Sequence, residues 1–481
     1  MSLDLHSMSA ELAKAATRKN IYLFLQQAFT VIHPGEQLQK AEYVEAMCFA
    51  LQEVAKGNTR RLMISIAPRH LKSICASVVF PAFLLGNDPS LRFMVVSYGG
   101  DLARQHAESF RRLVASSFYR ELFPNARMDP NHRRWDSIHT KAGGVRKAGS
   151  VAGPITGFGA DVIVIDDLAK ASEMHSEKIR DHVRNFYEET LFSRLNNKKT
   201  ARIVSVQQRL HADDFSAYLI EKGTFHHLCL PSIAQKQEDI PLFGGYWWVR
   251  KPGTVLNEAR EPRDVLDEIQ AEIGSRTFNA QYLQDPEAGS SEFLSIEDLT
   301  LVENLPDESN FIARVQSWDT AMKHGPNSNY SVCLTFGFHA TEERWYLVDV
   351  MRKRLDYTSL KAMVVHLQQR WKADHVIIED TAMGSTLLQE LHKEEKLKLG
   401  KWSVKGSKAE RFIPATDWIK SGNLVIPQKV PWFDDFRREI LTFPESRYND
   451  QVDALSQFNR WRKTRSEGFF SRLNRIAKVS H

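Results

Sequence analysis

Val162-Ile163-Val164-Ile165 is a run of four β-branched residues, and Asp166-Asp167 follows it at once. β-Branched side chains are stiff about their first torsion and sit well on a pleated surface. A continuous apolar run, without polar alternation, belongs in the middle of a parallel sheet covered on both faces. The chain around it is patterned to match. Residues 62–66, 91–97 and 202–206 read as further strands, and 72–85, 101–114 and most of 173–195 as helices. Strands alternating with helices make a doubly wound parallel sheet, in which ligands sit at the C-terminal ends of the strands.

At 481 residues the chain is too long for a single core, so two or three domains are expected. The net charge of +5 permits a nucleic-acid partner without demanding one. Cys48, Cys75, Cys229 and Cys333 lie far apart and form no CxxC pair. Neither a zinc site nor disulfides are implied, and a reducing compartment is the expectation. The longest apolar run, 74–85, is too short to span a bilayer and contains Pro81. No membrane role follows. Residues 1–58 read as a helical segment, broken at Pro34-Gly35 and capping the domain that follows.

Three polar clusters fall at strand ends. The first is Ala67-Pro68-Arg69-His70-Leu71-Lys72-Ser73, where a strand runs through a tight basic loop into a helix that Lys-Ser opens. That is the layout of a phosphate cradle. Lys72 would meet the β- and γ-phosphates, Ser73 would donate its hydroxyl to Mg²⁺, backbone N–H groups at the helix start would hold the phosphate oxygens, and Pro68, Arg69, His70 and Leu71 form the loop around the nucleotide. Glycine is usual before the lysine. Leu71 limits the loop to dihedrals that a Cβ allows. The second cluster is the aspartate pair. Asp166 would hold Mg²⁺ and Asp167 would orient and activate a water. The third is Gln207-Gln208-Arg209, whose amides can sense the γ-phosphate. Together the three describe a P-loop ATPase with ATP and Mg²⁺ as cofactors.

These segments resemble the ATPase motifs of phage large terminase subunits, the motors that pack DNA into phage heads. Thr156-Gly157-Phe158-Gly159-Ala160-Asp161, leading into the aspartates, and Leu210-His211-Ala212-Asp213-Asp214 after the third cluster extend the likeness. The resemblance implies a Pro- and Arg-rich loop that need not keep every glycine. It also implies a carboxylate after the metal-binding aspartate, with Asp167 where many members have glutamate, and makes Arg69 a candidate catalytic arginine.

Phe278-Asn279-Ala280-Gln281-Tyr282-Leu283-Gln284-Asp285-Pro286 resembles the family's segment where the ATPase ends. The ATPase domain is expected over 59–287, and Ala288-Gly289-Ser290-Ser291 opens a linker over 288–305. A second domain follows over 306–463, and a basic tail, disordered or helical, over 464–481. In the second domain a short strand ends at Asp319, a hairpin turns near 340–343, a helix covers 358–371, and a strand ends at Glu379-Asp380. A late helix begins near Asp450 and carries Asp453. This is the element order of a ribonuclease H-like α/β fold. Carboxylates from three distant places would repel one another unless divalent cations bridge them. Two Mg²⁺ or Mn²⁺ ions held by Asp319, Glu379 and one of Asp450 or Asp453 would activate a water and stabilise the leaving oxygen of a phosphodiester. Lys405, Lys408 and Arg411 could grip phosphates nearby.

Ser317-Trp318-Asp319-Thr320-Ala321, Ile378-Glu379-Asp380-Thr381-Ala382-Met383-Gly384-Ser385 and Tyr448-Asn449-Asp450-Gln451-Val452-Asp453-Ala454 resemble the terminase nuclease motifs. Asn329 and Asn449 stand where many relatives carry aspartate. The resemblance spans about residues 61–460. It implies ATP-driven translocation of double-stranded DNA and metal-dependent endonucleolytic cutting. The implied partners are a portal protein, a small terminase subunit and further copies of the chain in a homo-oligomeric ring. The implied location is the host cytoplasm, transiently at the procapsid portal vertex and not in the mature virion. Two other classes stay open on sequence alone: a helicase or repair ATPase-nuclease, and an inactive prophage-derived remnant that binds DNA and portal.

Overall fold

The computed structural model describes residues 5–132, 134–151, 153, 155, 157–174, 176–286, 293–320, 330–379, 382–394, 399–402, 407–444, 446 and 448–477. Thr156, Asn329, Asp380, Lys405 and the segment 288–291 lie outside them. The chain divides into two compact units, Met1–Ala288 and Gly289–His481.

In the first unit seven strands form one sheet: β1 (Arg61–Ile66), β2 (Arg92–Ser97), β3 (Ser137–His139), β4 (Val145–Ser150), β5 (Val162–Asp166), β6 (Arg202–Gln207) and β7 (His226–Leu230). Their order is β3-β4-β2-β5-β6-β1-β7, parallel except for β3 against β4. β5 is buried along its whole length, as its β-branched run requires. β6 is flanked by β1 and β5, so the three strand-end clusters emerge side by side. The expected helix over 72–85 is instead a wide helical turn, Ile74–Val79, joined to a regular helix, Phe80–Asn87. Pro81 near the start of that helix has no N–H for the ladder, so it suits a position where the donor is dispensable. The N-terminal helices Leu5–Lys19, Ile21–Ile32 and Glu42–Lys56 precede the sheet, and Phe24, Leu25, Met47 and Leu51 share its core. The sequence pattern did not disclose β3, β4, β7, or the hairpin of β8 (Glu238–Pro241) and β9 (Trp247–Arg250).

The second unit holds another seven-stranded sheet: β10 (Thr300–Val302), β11 (Phe311–Asp319), β12 (Ser331–His339), β13 (Arg344–Lys353), β14 (His375–Glu379), β15 (Leu399–Trp402) and β16 (Leu424–Pro427). Its order is β10-β16-β13-β12-β11-β14-β15. β11, β12 and β13 are antiparallel neighbours, while β14 runs parallel to β11. This is the ribonuclease H-like arrangement, extended at one edge by β16 and β10.

The expected linker is shorter than 288–305. Leu294 is fully buried in the second core, and Thr300–Val302 pairs with β16. A three-residue edge strand is too short to show periodicity, so composition alone read it as linker. The tail likewise begins as helix: Asp450–Ala477 is one continuous element. Phe458 on that helix stacks on Phe336 of β12 at 3.7 Å, and full burial of such a ring is worth roughly 2–3 kcal/mol.

Candidate functional sites

The loop after β1 turns twice through the left-handed region, with φ of 64° at Arg69 and 62° at Leu71. Turns of this kind aim successive N–H groups into a concavity that suits an anion. Leu71 thus adopts the backbone that glycine would supply, while its side chain packs against the first core. Left-handed backbone costs a residue with a Cβ on the order of 1 kcal/mol. The His70 imidazole turns inward. Nδ1 donates to the Pro68 carbonyl at 2.8 Å, and the ring meets Tyr43 edge-on at 5.3 Å. His70 therefore offers a ligand only its backbone, and its side chain braces the loop. The Arg260 guanidinium braces it from outside, 2.6 Å from the Arg69 carbonyl, while the Arg69 side chain is exposed.

Lys72 and Ser73 enter the helix side by side and each finds one aspartate. Lys72 Nζ lies 2.8 Å from Asp167 Oδ2 and 3.1 Å from Oδ1. Ser73 Oγ donates to Asp166 Oδ1 at 2.9 Å. Asp166 Oδ2 accepts from Ser77 at 2.7 Å, with His106 Nε2 3.2 Å away. Burial would raise the Asp166 pKa, but the His106 hydrogen bond and charge, Ser77 and Lys72 outweigh it and hold the carboxyl below its usual range. Asp167 goes the other way. Burial and the charge of Asp166 raise it, against Lys72. Asp167 also sits at φ 43° and accepts the Gln208 N–H at 3.2 Å, so it joins the second cluster to the third. A serine hydroxyl beside a low-pKa aspartate is an oxygen donor set that fits Mg²⁺.

Sequence reasoning missed Ser77, His106 and Arg146, which stand next to Asp166 or brace the Ser77 backbone. Ser77 follows Ser73 by four positions, the spacing that shares a helix face, so that signal was present. Arg146 on β4 gave none. It is fully buried, donates to the Ser77 carbonyl at 3.1 Å and packs on Phe110, and burial pushes its pKa down to about 9. In the third cluster, Arg209 is turned away from the loop. Its Nε bonds both oxygens of Asp214 at 2.9 and 3.1 Å, and Asp214 caps the helix Phe215–Glu221.

The second unit brings carboxylates from three of its elements together at Asp319. Asp319 ends β11, Glu379 ends β14, and Asp450 and Asp453 lie on the first turn of the helix Asp450–Ala477. Asp319 is hydrogen-bonded to Glu379, and its pKa is driven well above the ordinary range by burial first, then by Asp453, Asp450 and Glu379. Burial likewise raises Asp450 to about 6, against the opposing charges of Lys408 and Arg352. Gln457 holds the elements in place. Its amide donates to Ser317 Oγ at 3.0 Å and to the Trp318 and Ile377 carbonyls at 3.3 Å, joining the helix to β11 and β14.

The two late aspartates differ. Asp453 is ion-paired through both oxygens, with Lys408 at 2.7 Å and Arg411 at 2.9 Å. Asp450 Oδ2 is buried without a partner. Among the described residues, no group of three or more acidic, histidine or cysteine side chains already stands in metal-holding geometry. Asp319 lies close enough to Asp453, Asp450 and Glu379 for their charges to repel its own, and Asp450 Oδ2 is buried without a partner, an arrangement that fits a hard divalent cation. Asp453 fits less well, because its oxygens are taken.

Residues 316–459 match the family model of the terminase RNaseH-like domain. The likeness to this family model covers this segment of the second unit. No curated protein matches it in sequence. Among solved structures it is similar to the HK97 bacteriophage large terminase, at 11% identity and a TM-score of 0.47, covering 91% of this chain and 99% of that one. It is similar to the large terminase of a thermophilic bacteriophage at 11% identity and a TM-score of 0.31, over 85% and 97% of the two chains. The large terminase nuclease of the thermophilic phage G20c, with bound magnesium, matches at 16% identity and a TM-score of 0.27, over 36% of this chain and 98% of that one. TM-scores this low add nothing to the assignment. Among the described residues, no helix is long and apolar enough to cross a membrane.

Proposed function

We propose that the chain is the large subunit of a terminase: an ATP hydrolase that drives double-stranded phage DNA into a procapsid, and a metal-dependent endonuclease that cuts concatemeric DNA. The observation that carries the reading is the double pairing of Lys72 with Asp167 and Ser73 with Asp166, together with a separate carboxylate set in a terminase nuclease domain. In the first unit Lys72 would hold the terminal phosphates and Asp167 would orient a water, with Mg²⁺ held between Ser73 and Asp166. Gln208, tied to Asp167 through its backbone, would register the state of the nucleotide. In the second, Asp319, Glu379 and Asp450 would hold Mg²⁺ or Mn²⁺, which supplies an activated water and stabilises the leaving oxygen. The chain's own residues do the rest: Gln457 fixes the spacing of the carboxylates, and Lys408 and Arg411 hold Asp453 in its rotamer.

The family reading brings a portal protein, a small terminase subunit and a homo-oligomeric ring as partners, and work in the host cytoplasm at the portal vertex. Two substitutions test the chemistry. Lys72→Ala is expected to lower DNA-stimulated ATP hydrolysis by at least about 100-fold. A wild-type rate in that variant would remove the ATP-site assignment. Asp319→Ala is expected to abolish Mn²⁺-dependent nicking of plasmid DNA, and undiminished nicking would exclude the residue from the site.

A further inference from the structure

Behind Asp166 the first unit buries a second charge. Arg146 on β4 is fully buried, and β2 separates its strand from β5, so it does not flank Asp166 in the sheet. Ser77 joins the two. Its hydroxyl donates to Asp166 Oδ2 at 2.7 Å, and its carbonyl accepts from Arg146 Nη2 at 3.1 Å. That carbonyl is open to the arginine for a reason written in the sequence. A regular helix would pair it with the N–H of residue 81, and Pro81 has none. One helix touches both ends of the bridge. Gly100–Ala115 sets His106 Nε2 3.2 Å from Asp166 Oδ2 and, four residues on, the Phe110 ring 5.2 Å from the Arg146 guanidinium.

A buried guanidinium with one hydrogen bond is destabilising by itself. Arg146 Nε and Nη1 are buried without a partner, and desolvation disfavours the charge. Asp166 is the charge that favours it. A side chain that only filled space on β4 would serve stability better as an apolar residue of similar volume. The geometry suits another role. Asp166 Oδ2 is held by Ser77 and faces His106, which leaves Oδ1 turned to the Ser73 hydroxyl at 2.9 Å. Asp166 and Ser73 are the two groups that fit Mg²⁺. A partner behind a ligating carboxylate fixes the direction in which it offers its remaining lone pairs.

We propose that Arg146 is a positioning residue of the nucleotide site: through the Ser77 carbonyl it holds the wide turn Ile74–Val79 and the Ser77 hydroxyl in register with Asp166, so that Oδ1 stays turned to Ser73, where Mg²⁺ would be held. The proposal rests on the ATP-site reading and adds to it a residue that touches neither nucleotide nor metal. Its effect falls on the metal, because Lys72, which would hold the phosphates, is paired with Asp167 instead.

The test uses the full chain and measures ADP binding by calorimetry, with and without Mn²⁺. Reading ADP affinity, rather than Mn²⁺ uptake, keeps metal bound by the second unit out of the measurement. Arg146→Met keeps the length of the side chain and removes its charge and donors. It is expected to reduce the gain in ADP affinity that Mn²⁺ brings by about 10-fold, and to leave metal-free ADP binding within about two-fold. Arg146→Lys keeps the charge and a donor, and is expected to recover the gain to within about three-fold. Ser77→Ala loses only a hydroxyl, so it carries the test should Arg146→Met not fold, and its expected loss is again about 10-fold and confined to the metal. A urea transition reports the folding of each variant. A wild-type response to Mn²⁺ in folded Arg146→Met, or in Ser77→Ala, would overturn the proposal. So would an equal loss of ADP affinity with and without Mn²⁺, which would leave Arg146 a brace of the fold alone. A wild type that binds no ADP would overturn the ATP-site reading, and the proposal with it.

Discussion

Leu71 combines a backbone suited to glycine with a side chain that the first core uses. The two effects can be separated. Leu71→Ala removes packing and keeps the left-handed strain, while Leu71→Gly removes both. Leu71→Ala is expected to lower stability by roughly 1–2 kcal/mol, since the side chain is only partly buried. Leu71→Gly should be no worse despite losing one more carbon, because relief of about 1 kcal/mol of strain offsets the entropy of glycine. Urea midpoints decide this, and a markedly less stable Gly variant would show that the loop carries no strain there. The late aspartates make a second pair. Asp450→Asn is expected to eliminate cutting and weaken Mn²⁺ binding, whereas Asp453→Asn should reduce activity about 10-fold through misplaced Lys408 and Arg411. Equal loss of Mn²⁺ affinity in both, measured by calorimetry, would put both carboxylates on the metal.

Among the elements, β1, β2, β5, β6 and the strands β11 to β14 were legible because each is long enough, or apolar enough, to show its period. β3, β10 and β15 were not. Edge strands of three or four residues carry too few side chains for a pattern, and pairing partners far along the chain decide them. The site divides in the same way. Lys72, Ser73, Asp166, Asp319 and Glu379 stand at strand ends or helix starts, where sequence order gives position. His106, Arg146, Gln457 and Arg352 reach their places through tertiary packing, which local spacing does not encode. His227 on β7 shows what that packing can do. Its ring is bonded to Ser65 on β1 at 2.9 Å, and burial, aided by the charges of Arg209 and His226 and opposed by Asp214, pushes its pKa down to about 4. The unfolded chain takes a proton on this ring below about pH 6.5, and the folded chain does not until about pH 4. The stability linked to the neutral ring is therefore complete above about pH 6.5 and is lost as pH falls toward 4, by up to about 3 kcal/mol. His227→Gln should flatten the fall in urea midpoint across that window, and an unchanged fall would place the acid sensitivity elsewhere.

Over the whole molecule, each candidate site is built from the residues of a single unit. Lys72→Ala should therefore leave metal-dependent nicking intact, and Asp319→Ala should leave ATP hydrolysis intact. The tie between Arg209 and Gln284 has a consequence at this scale. The Arg209 N–H donates to the Gln284 side chain at 3.2 Å across 75 positions of sequence, and Gln284 itself is held at φ 56°. Gln284 lies four residues before the first unit ends. The turn that donates to Asp167 is thus tied by a hydrogen bond to the last stretch of the first unit, so Gln284→Ala is expected to loosen both ends of that tie.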